Sequence, residues 1–465
     1  HLADMLVRAE LAVATAWDAA RTAPTADRQA DLAAAVAATE AVGAYLANAR
    51  MNIQVHGGIG FTWEHDAHLY LRRATVLAAL TGAGTTAVDD VAALTRDGVR
   101  REPGISLPPE AEGYREAARE FVRRYRGTPE DARRAMALDE GYLLPHWQRP
   151  WGREAGPVEQ LVLEQELAGL HLPNLGIGGW VLLTLTQTAA PEQIERWIRP
   201  GLLGEHTWCQ LFSEPGAGSD AAAVQTRGVR VDGGWRVTGQ KVWTSGAQFC
   251  QRGLATIRTD PDAAKHRGIT AVVVDLTAPG VTVRPLREIT GQSLFNEVFF
   301  DDVFVPDEDV VGEPGAGWAV ARATLANERV SIGGRRAGCS AVDLFALLDQ
   351  RAPADPALPR DIGAAVAAEL GMELLNLRAV ERAVVGAEPS VEGNISKLLL
   401  AEHGQRVTEL GMRISGPAGV TGGEPSLVYQ YLFQRAMTIA GGTSEVSRNV
   451  IAERILGLPR EIIKN

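Results

Sequence analysis

The chain has 465 residues, a length that exceeds one ordinary hydrophobic core and predicts two to four domains. Hydrophobic residues make up 46% and charged residues 22% of the sequence, and no continuous apolar run is long enough to predict a membrane span, so the composition is that of a soluble globular protein. The formal charge of −11, without long Lys/Arg clusters, argues against a nucleic-acid-binding protein.

The cysteines and histidines give no pattern of metal ligands. Cys209, Cys250 and Cys339 are widely spaced, form no CxxC pair and are odd in number, which indicates a reducing compartment. His65 and His68 have no third ligand nearby, so we interpret them as packing or hydrogen-bonding residues. Since no secretory segment opens the chain, we expect a cytoplasmic protein without a bound metal.

The first part of the chain is helical. Residues 1–86 are rich in alanine, with apolar residues at helical spacing, and they begin at His1 inside the pattern LADMLVRAELAVATAWDAA. We therefore expect them to be the C-terminal helical remnant of a first module. Residues 87–110, through REPGISLPPE, are predicted to be a linker.

A second module is predicted to follow the linker. Residues 111–207 have the helical segments EGYREAAREFVRRYR and PVEQLVLEQELAGL. Residues 208–314 change to alternating segments rich in Val, Phe and Trp with Gly-rich turns, which predicts an antiparallel barrel or sandwich. The helical period returns in residues 315–465.

One glycine-rich stretch occurs twice. QVHGGIGFTWEHD at residues 54–66 returns about 360 residues later as RISGPAGVTGGEP, and a long helical pattern precedes each copy. Solenoid repeats are roughly 20–50 residues long, so this spacing indicates a duplicated module.

Two local motifs favour a ligand site in the β-rich part. In SEPGAGSD, residues 213–220, small residues let the backbone approach a ligand, and N–H and hydroxyl groups can bind phosphate or ring oxygens. An isolated Gly/Ser turn is most often only a turn. The following QKVWTSGA adds Trp243 and Ser245, which can cover a planar ring and hydrogen-bond to its edge.

Together the two motifs resemble the acyl-CoA dehydrogenase family. FNEVFFDDVFVP, NERVSIGG and GGTSEVSRNVIAERILGLPRE follow in the family's order, so the resemblance covers residues 110–465. It implies an α+β fold: an N-terminal helical domain, a central antiparallel β-barrel or sandwich, and a C-terminal four-helix bundle. With residues 1–86, the arrangement resembles fused two-module members from actinobacteria associated with steroid side-chain degradation.

The resemblance implies a base that removes a proton beside a CoA thioester while a hydride leaves the adjacent carbon for FAD. In many members this carboxylate directly precedes a Gly-Thr pair, the position of Gly441. Because glycine cannot take a proton, either the module is inactive or the base lies elsewhere. Other members place the base on a helix, directly before an arginine, and Glu328 before Arg329 matches that position.

Other residues are assigned by the same resemblance. The Gly441 backbone N–H is the expected oxyanion donor. Glu445, the nearest alternative acid, is expected at a helix start in a capping or cofactor role. The predicted substrate contacts are Ser219, Asn327 and Arg329. The predicted FAD contacts in this module are Gln210, Phe212, Ser213, Gly218, Ser219, Trp243, Ser245, Thr443 and Glu445.

Family members hold the ADP half of FAD through a Gln-x-x-Gly-Gly-x-Gly stretch of a neighbouring helical domain. The later copy has Arg413 and Pro417 in place of the glutamine and a glycine. The first copy keeps the motif and is predicted to bind FAD through Gln54, Gly57, Gly58 and Gly60. A homodimer of fused chains is expected, with FAD between a first-module tail and a second-module β-domain.

The predicted function is FAD-dependent dehydrogenation of a bulky or branched acyl-CoA to the trans-2-enoyl-CoA, with a steroid side-chain thioester as one candidate. The expected electron acceptor is an electron-transfer flavoprotein, and neither nucleic acid nor membrane is an expected partner. Two alternatives stay open: an acyl-CoA oxidase or other flavoenzyme on the same fold, and an inactive acyl-CoA-binding or scaffold subunit.

Overall fold

A computed structural model describes residues 1–104, 107–333, 340–353, 355–384 and 392–460, without the side chains of 329–333 and 392–394. Cys339 and Gly334, the last residue of the NERVSIGG motif, lie outside the described residues. The chain divides into two compact units: His1–Ser106 with Gly333–Asn465 form unit 1, and Leu107–Ile332 form unit 2.

The chain begins with five helices of unit 1. Their bounds are α1 Leu2–Thr22, α2 Arg28–Ala37, α3 Gly43–His56, α4 Ala67–Thr81 and α5 Thr86–Arg96. A π-helical turn, Ala38–Val42, joins α2 to α3, and a 3₁₀ turn, Gly57–Phe61, follows α3. The Asp27 carboxylate accepts the Ala30 N–H at 2.9 Å and so caps the start of α2.

Unit 2 begins with five helices. These are α6 Ala111–Gly127, α7 Glu130–Asp139, α8 Pro157–Leu167, α9 Ile177–Thr188 and α10 Pro191–Leu203. Both helical segments predicted for residues 111–207 are therefore present, as α6 and α8. Phe121, Leu182 and Ile198 are fully buried in the core that these helices share.

Eight strands follow in unit 2, and one more helix completes it. They are β1 Trp208–Leu211, β2 Arg227–Val231, β3 Gly234–Ser245, β4 Arg252–Arg258, β5 Ile269–Asp275, β6 Val281–Pro285, β7 Phe295–Pro306, β8 Val310–Val311 and α11 Gly317–Gly333. The strand order is β6-β7-β3-β2-β4-β5-β8, and β1 pairs with β4. Most pairs are antiparallel, but β1 and β2 each pair with β4 in parallel, so the sheet is mixed.

The remaining helices return to unit 1. They are α12 Asp343–Arg351, α13 Leu358–Val384, α14 Glu392–Ser415, α15 Pro417–Thr421, α16 Pro425–Met437 and α17 Ser444–Val450. The α+β class, with helical parts before and after a central β-domain, is confirmed. The finer division into five segments stays a prediction, except at the start of the linker, where α5 continues to Arg96.

The two glycine-rich copies have the same backbone conformation. Gly57 has φ 59° and ψ −137°, and Gly416 has φ 54° and ψ −132°; each ends a long helix and begins a short helical turn. Gly60 lies against Ile53, where a Cβ would come within 2.7 Å of the carbonyl oxygen, and Gly419 lies against Met412 at the matching position. The duplication read from the sequence is therefore also present in the structure.

The helices of the two copies pack together in unit 1. Helix α5 of the first copy packs against α13, and Arg360 donates to Asp89 at 2.6 and 2.8 Å across that contact. Helix α17 of the second copy contacts α1, and Arg448 donates to Asp4 at 2.7 Å. Helix α5 thus packs on α13, and α17 packs on α1.

The linker predicted for residues 87–110 is wrong for its first ten residues. They belong to α5, which buries Ala87, Val88, Val91 and Ala92 against neighbouring helices. Their apolar spacing repeats with a helical period, but the adjacent Asp pair of TAVDD obscured it.

One helical stretch among the described residues, Arg28–Phe61, is long and apolar enough to cross a membrane by length and composition. Within unit 1, its residues Leu32, Ala33 and Val36 are buried. Of the apolar window that meets this test, 33% is buried inside the structure.

The π-helical turn carries an acid whose pKa is displaced. Burial raises the pKa of Glu40 to about 7, and the positive charge of Arg406 opposes that rise. The folded state therefore binds a proton that the unfolded chain, with an ordinary carboxyl pKa, has already lost. The free energy of unfolding should fall as the pH rises from about 5 to about 7, and the loss should be complete above pH 7.

We expect Glu40→Gln to raise the free energy of unfolding at pH 8 by about 1–2 kcal/mol and to change it little at pH 5. The amide keeps the size of the carboxyl group but has no charge to bury. Urea unfolding followed by circular dichroism at both pH values measures the effect. Glu64→Gln, at an exposed acid, is the control, and equal gains in the two variants would contradict the prediction.

Candidate active site

A hydrogen-bonded chain in unit 2 ends at the predicted base. Gln210, on β1, donates from Nε2 to Oε2 of Glu328 on α11 at 3.1 Å. The Gln210 Oε1 atom accepts the indole N–H of Trp180, on α9, at 2.7 Å. Because an indole N–H only donates and an ionised carboxylate only accepts, these two partners fix the orientation of the Gln210 amide.

The residue before Glu328 ties α11 to α9. Asn327 Nδ2 donates to Thr184 Oγ1 and to Gln187 Oε1, both at 3.1 Å. These bonds hold the backbone that carries Glu328 in unit 2. They also engage the Asn327 amide that was predicted to contact substrate. The side chain of Arg329, another predicted substrate contact, lies outside the described residues.

The 213–219 loop presents an open backbone. Gly216 and Gly218 are exposed, and a Cβ added at either position would meet no atom within 4 Å. Ser219 is exposed and Ser213 is half-buried. Below this surface, Glu214 and Ala217 exchange two backbone hydrogen bonds of 3.0 Å, which close the turn.

Trp243 stands beside this loop in an unusual conformation. Its φ is +60°, in the left-handed region that large side chains rarely adopt, at a register shift where β3 pairs with β7. The side chain is 60% exposed and meets Phe295 edge-on at 6.0 Å. The Val242 N–H donates to the Ser213 carbonyl at 2.9 Å, which joins β3 to the loop.

The structure places Gln210 beside Glu328, and separately joins Ser213 to the strand that carries Trp243 and Ser245. The Phe212 side chain is buried in the helical core of the unit, so it offers only its backbone to a ligand. An exposed flat aromatic, an open glycine backbone and nearby hydroxyl groups fit a planar ring with a polar edge.

A second group of predicted residues lies in unit 1. Gly441 and Gly442 have φ of 64° and 93° and form the turn before α17, where the Thr443 hydroxyl caps the helix by accepting the Val446 N–H at 3.2 Å. Thr443 and Glu445 line a cavity of about 520 Å³ with residues of α14. Backbone N–H donation and the Thr443 hydroxyl hold the pKa of Glu445 below its usual range, as expected of an acid at a helix start.

The first copy of the glycine-rich stretch is exposed where it was predicted to bind. Gln54, Gly57 and Gly58 are exposed, whereas Gly60 is buried against α3 and acts in packing. In the second copy, Arg413 is held by ion pairs to Asp355 at 2.9 Å and Asp361 at 2.7 Å. The arginine that replaces the glutamine therefore has a structural role.

The histidine interpretation agrees with the contacts. His65 Nδ1 accepts the Ala67 N–H at 3.1 Å, and the His68 ring stacks on Trp63 at 4.7 Å. Among the described residues, no group of three His, Cys, Asp or Glu side chains has the geometry to hold a metal ion.

Family models match both parts of this arrangement. Residues 209–303 match "Acyl-CoA dehydrogenase, middle domain", and residues 1–94 and 315–456 match "Acyl-CoA dehydrogenase, C-terminal domain". Acyl-CoA dehydrogenase IpdE1 of Mycolicibacterium smegmatis is 39% identical over 330 residues, which cover 67% of this chain and 83% of that protein.

The chain belongs to the acyl-CoA dehydrogenase family. Members of this family are oxidoreductases. The C-terminal domain model matches in two places, in agreement with the duplicated helices of unit 1.

Two further similarities cover most of the chain. Acyl-CoA dehydrogenase FadE34 of Mycobacterium tuberculosis is 48% identical over 465 residues, and the alignment covers 99% of this chain but 65% of that protein. The solved structure titled "Tcur3481-Tcur3483 steroid ACAD" matches with a TM-score of 0.62 and 26% identity, over 77% of this chain and all of that one.

Four residues of the site were missed by the sequence reading. Trp180 and Thr184 lie in the apolar stretch that forms α9, where the sequence carries no signal of a site. Glu214 and Lys241 lie inside the motifs SEPGAGSD and QKVWTSGA. The prediction of ligand binding there rested on the glycines, the hydroxyl groups and the indole of these motifs. A charged residue within an otherwise ligand-binding motif was the available signal.

Proposed function

We propose that this acyl-CoA dehydrogenase family member uses FAD to introduce a trans double bond between Cα and Cβ of an acyl-CoA. Glu328 is the base that takes the proton from Cα. FAD, when bound, supplies the acceptor for the hydride that leaves Cβ. The observation that supports this assignment is the 3.1 Å hydrogen bond from Gln210, a predicted FAD contact, to the Glu328 carboxylate.

The contacts around Glu328 fix the orientation of its carboxylate, which suits a general base. Gln210 holds one carboxylate oxygen, and Asn327 holds the adjacent backbone to α9. Since proton transfer requires a donor and acceptor within hydrogen-bond distance, a carboxylate fixed by its neighbours is favourable. Glu445, the alternative acid, is exposed at the N-terminus of α17, where capping accounts for it.

The FAD proposal is supported by family membership and by the fit of the chain's own residues. Family members are FAD-dependent flavoproteins. The Trp243 side chain, the Ser245 hydroxyl and the open 213–219 loop would hold the ring and its polar edge. By the family resemblance, the Gly441 N–H is the proposed donor to the thioester oxygen, where negative charge develops as the proton leaves Cα.

We propose that the first copy of the repeat contributes the residues that hold the ADP half of FAD. Gln54, Gly57 and Gly58 are exposed and keep the family motif, whereas Arg413 at the matching position is engaged by two aspartates. A homodimer of fused chains would place a first-module tail next to a second-module β-domain.

A bulky or branched acyl group is the proposed substrate, with steroid side-chain thioesters as the leading class. Support comes from the similarity to a structure titled as a steroid ACAD. An electron-transfer flavoprotein is the proposed acceptor in a cytoplasmic pathway of β-oxidation type.

The test is an anaerobic titration of the FAD-loaded chain with straight, branched and steroid-bearing CoA thioesters. We expect loss of the oxidised flavin band near stoichiometric substrate, with the steroid-bearing thioester most effective. Rapid oxygen consumption by the reduced protein would favour an oxidase instead. Failure to bind FAD, or no bleaching with any thioester, would favour an inactive acyl-CoA-binding subunit.

A further inference from the structure

A buried ion pair joins the 213–219 loop to β3, the two segments whose residues are proposed to hold the flavin ring. Lys241 is fully buried on β3, and its Nζ lies 2.7 Å from Oε1 of Glu214 in the 213–219 loop. The Glu214 side chain is 6% exposed. Burying two charges is costly, so a pair of this kind needs many compensating hydrogen bonds.

Those hydrogen bonds are present on both side chains. Lys241 Nζ also donates to the Thr256 carbonyl at 2.7 Å and to the Phe212 carbonyl at 3.3 Å, so each of its three N–H groups has an acceptor. The Glu214 carboxylate accepts the backbone N–H groups of Gln225 at 2.6 Å and Thr226 at 3.0 Å. The pair therefore connects the 213–219 loop with β3, with β4, with the residue that follows β1 and with the segment that precedes β2.

Both groups are charged near neutral pH. Burial lowers the pKa of Lys241 to about 8, with the carboxylate opposing the change. Burial alone would raise the pKa of Glu214, but the ammonium charge and the N–H donors hold it below its usual range. The two residues thus form an ion pair under ordinary assay conditions.

The position of Lys241 relates the pair to Trp243. The register shift in β3 lies between Lys241 and Thr244, and Trp243 within it has its left-handed φ. A large residue in that conformation is strained and persists only where its surroundings over-determine it. Lys241 fixes the strand two residues earlier, and the Val242 bond to Ser213 fixes the residue between.

We propose that Glu214 and Lys241 are a buried positioning pair that holds the 213–219 loop and the strained Trp243 in the arrangement required for ring binding. The proposal rests on the proposed FAD function. Neither side chain reaches the surface that would meet the ring, so both act through the residues they hold.

The test compares the full chain with the double variant Glu214→Gln/Lys241→Met, which removes both charges and leaves none unpaired. Arg252→Met is the control, because Arg252 pairs with Asp275 on β4 and β5 of the same sheet. Each protein is freed of FAD and titrated with FAD by fluorescence. Amide hydrogen exchange of residues 213–226 and 241–245 is followed in the FAD-free proteins.

We expect the double variant to remain folded, to bind FAD about 10- to 100-fold more weakly, and to exchange faster in both segments. The control should retain FAD affinity and the exchange pattern even where its melting temperature falls. A double variant with unchanged FAD affinity and unchanged exchange would overturn the proposal. Should it fail to fold, Lys241→Arg, which keeps the charge but changes the donor geometry, gives the same comparison.

Failure of the proposed function has a different signature. If the unaltered chain binds no FAD, the flavin assignment is wrong, while the exchange measurement still decides whether the pair fixes the two segments. If the unaltered chain binds FAD and the double variant binds it equally well, only the positioning role is wrong.

Discussion

Glu328→Gln is expected to slow acyl-CoA-driven flavin bleaching by about 10²–10⁴-fold, the range typical of a lost general base. Glutamine has nearly the same shape and can still accept the Gln210 N–H bond, which is 3.1 Å long with the native carboxylate. It cannot take up a proton. The loss should therefore appear in the rate of the chemical step, measured by anaerobic stopped-flow, while FAD stays bound.

Glu445→Gln is the matched control for this experiment. Glu445 is exposed at the start of α17 and is the nearest acid to the turn at Gly441 along the sequence. At saturating FAD, its variant should bleach the flavin within a few-fold of the unaltered rate, because Glu445 is predicted to contact the cofactor and not to take the proton. If instead Glu445→Gln abolishes bleaching and Glu328→Gln does not, the base has been assigned to the wrong helix.

The assignment of Glu328 shows what motif order can and cannot predict. The sequence placed Glu328 by its neighbour Arg329 and by the glycine at position 441, and it placed Gln210 from a separate motif. Nothing in the spacing showed that the two side chains meet, because they are on a strand and a helix more than a hundred residues apart. Only the folded chain shows that bond and the Trp180 N–H that orients it.

The buried pair of Glu214 and Lys241 was missed for a physical reason. Local patterns predict burial from apolar residues, and a lysine within a strand usually predicts an exposed position. Lys241 is buried because its acceptors come from two separate segments, Phe212 with Glu214 and, on β4, Thr256. Such a group of partners depends on tertiary structure and has no signature in a short window of sequence.

The helix at Thr86–Arg96 was missed for a related reason. A helix of eleven residues is marginal on its own in water, and most of its stability comes from packing. Here α5 packs on α13, which lies more than 260 residues later in the chain. By contrast, the duplicated stretch was predictable, since both copies need a left-handed residue at one position, and glycine occupies it in each.

Arg101→Ala is expected to lower the free energy of unfolding of unit 1 by about 3–5 kcal/mol. Arg101 follows α5 and binds Asp18 of α1 through two bonds, of 2.7 and 2.9 Å. The two side chains are only 11% and 7% exposed. Removing the guanidinium would leave the Asp18 carboxylate buried without its cation, which is the costly way to break such a pair.

Arg28→Ala is the control for the effect of burial on the loss of stability, because it removes an exposed ion pair of the same unit. Arg28 and Asp97 lie 2.8 Å apart but are 57% and 63% exposed, so we expect a loss below about 1 kcal/mol. Urea unfolding of both variants, followed by circular dichroism, gives the difference directly. If adding Asp18→Ala to Arg101→Ala restores stability, the unpaired carboxylate is the source of the lost free energy. Equal losses in Arg101→Ala and Arg28→Ala would contradict the prediction, because burial of the pair would then have no effect.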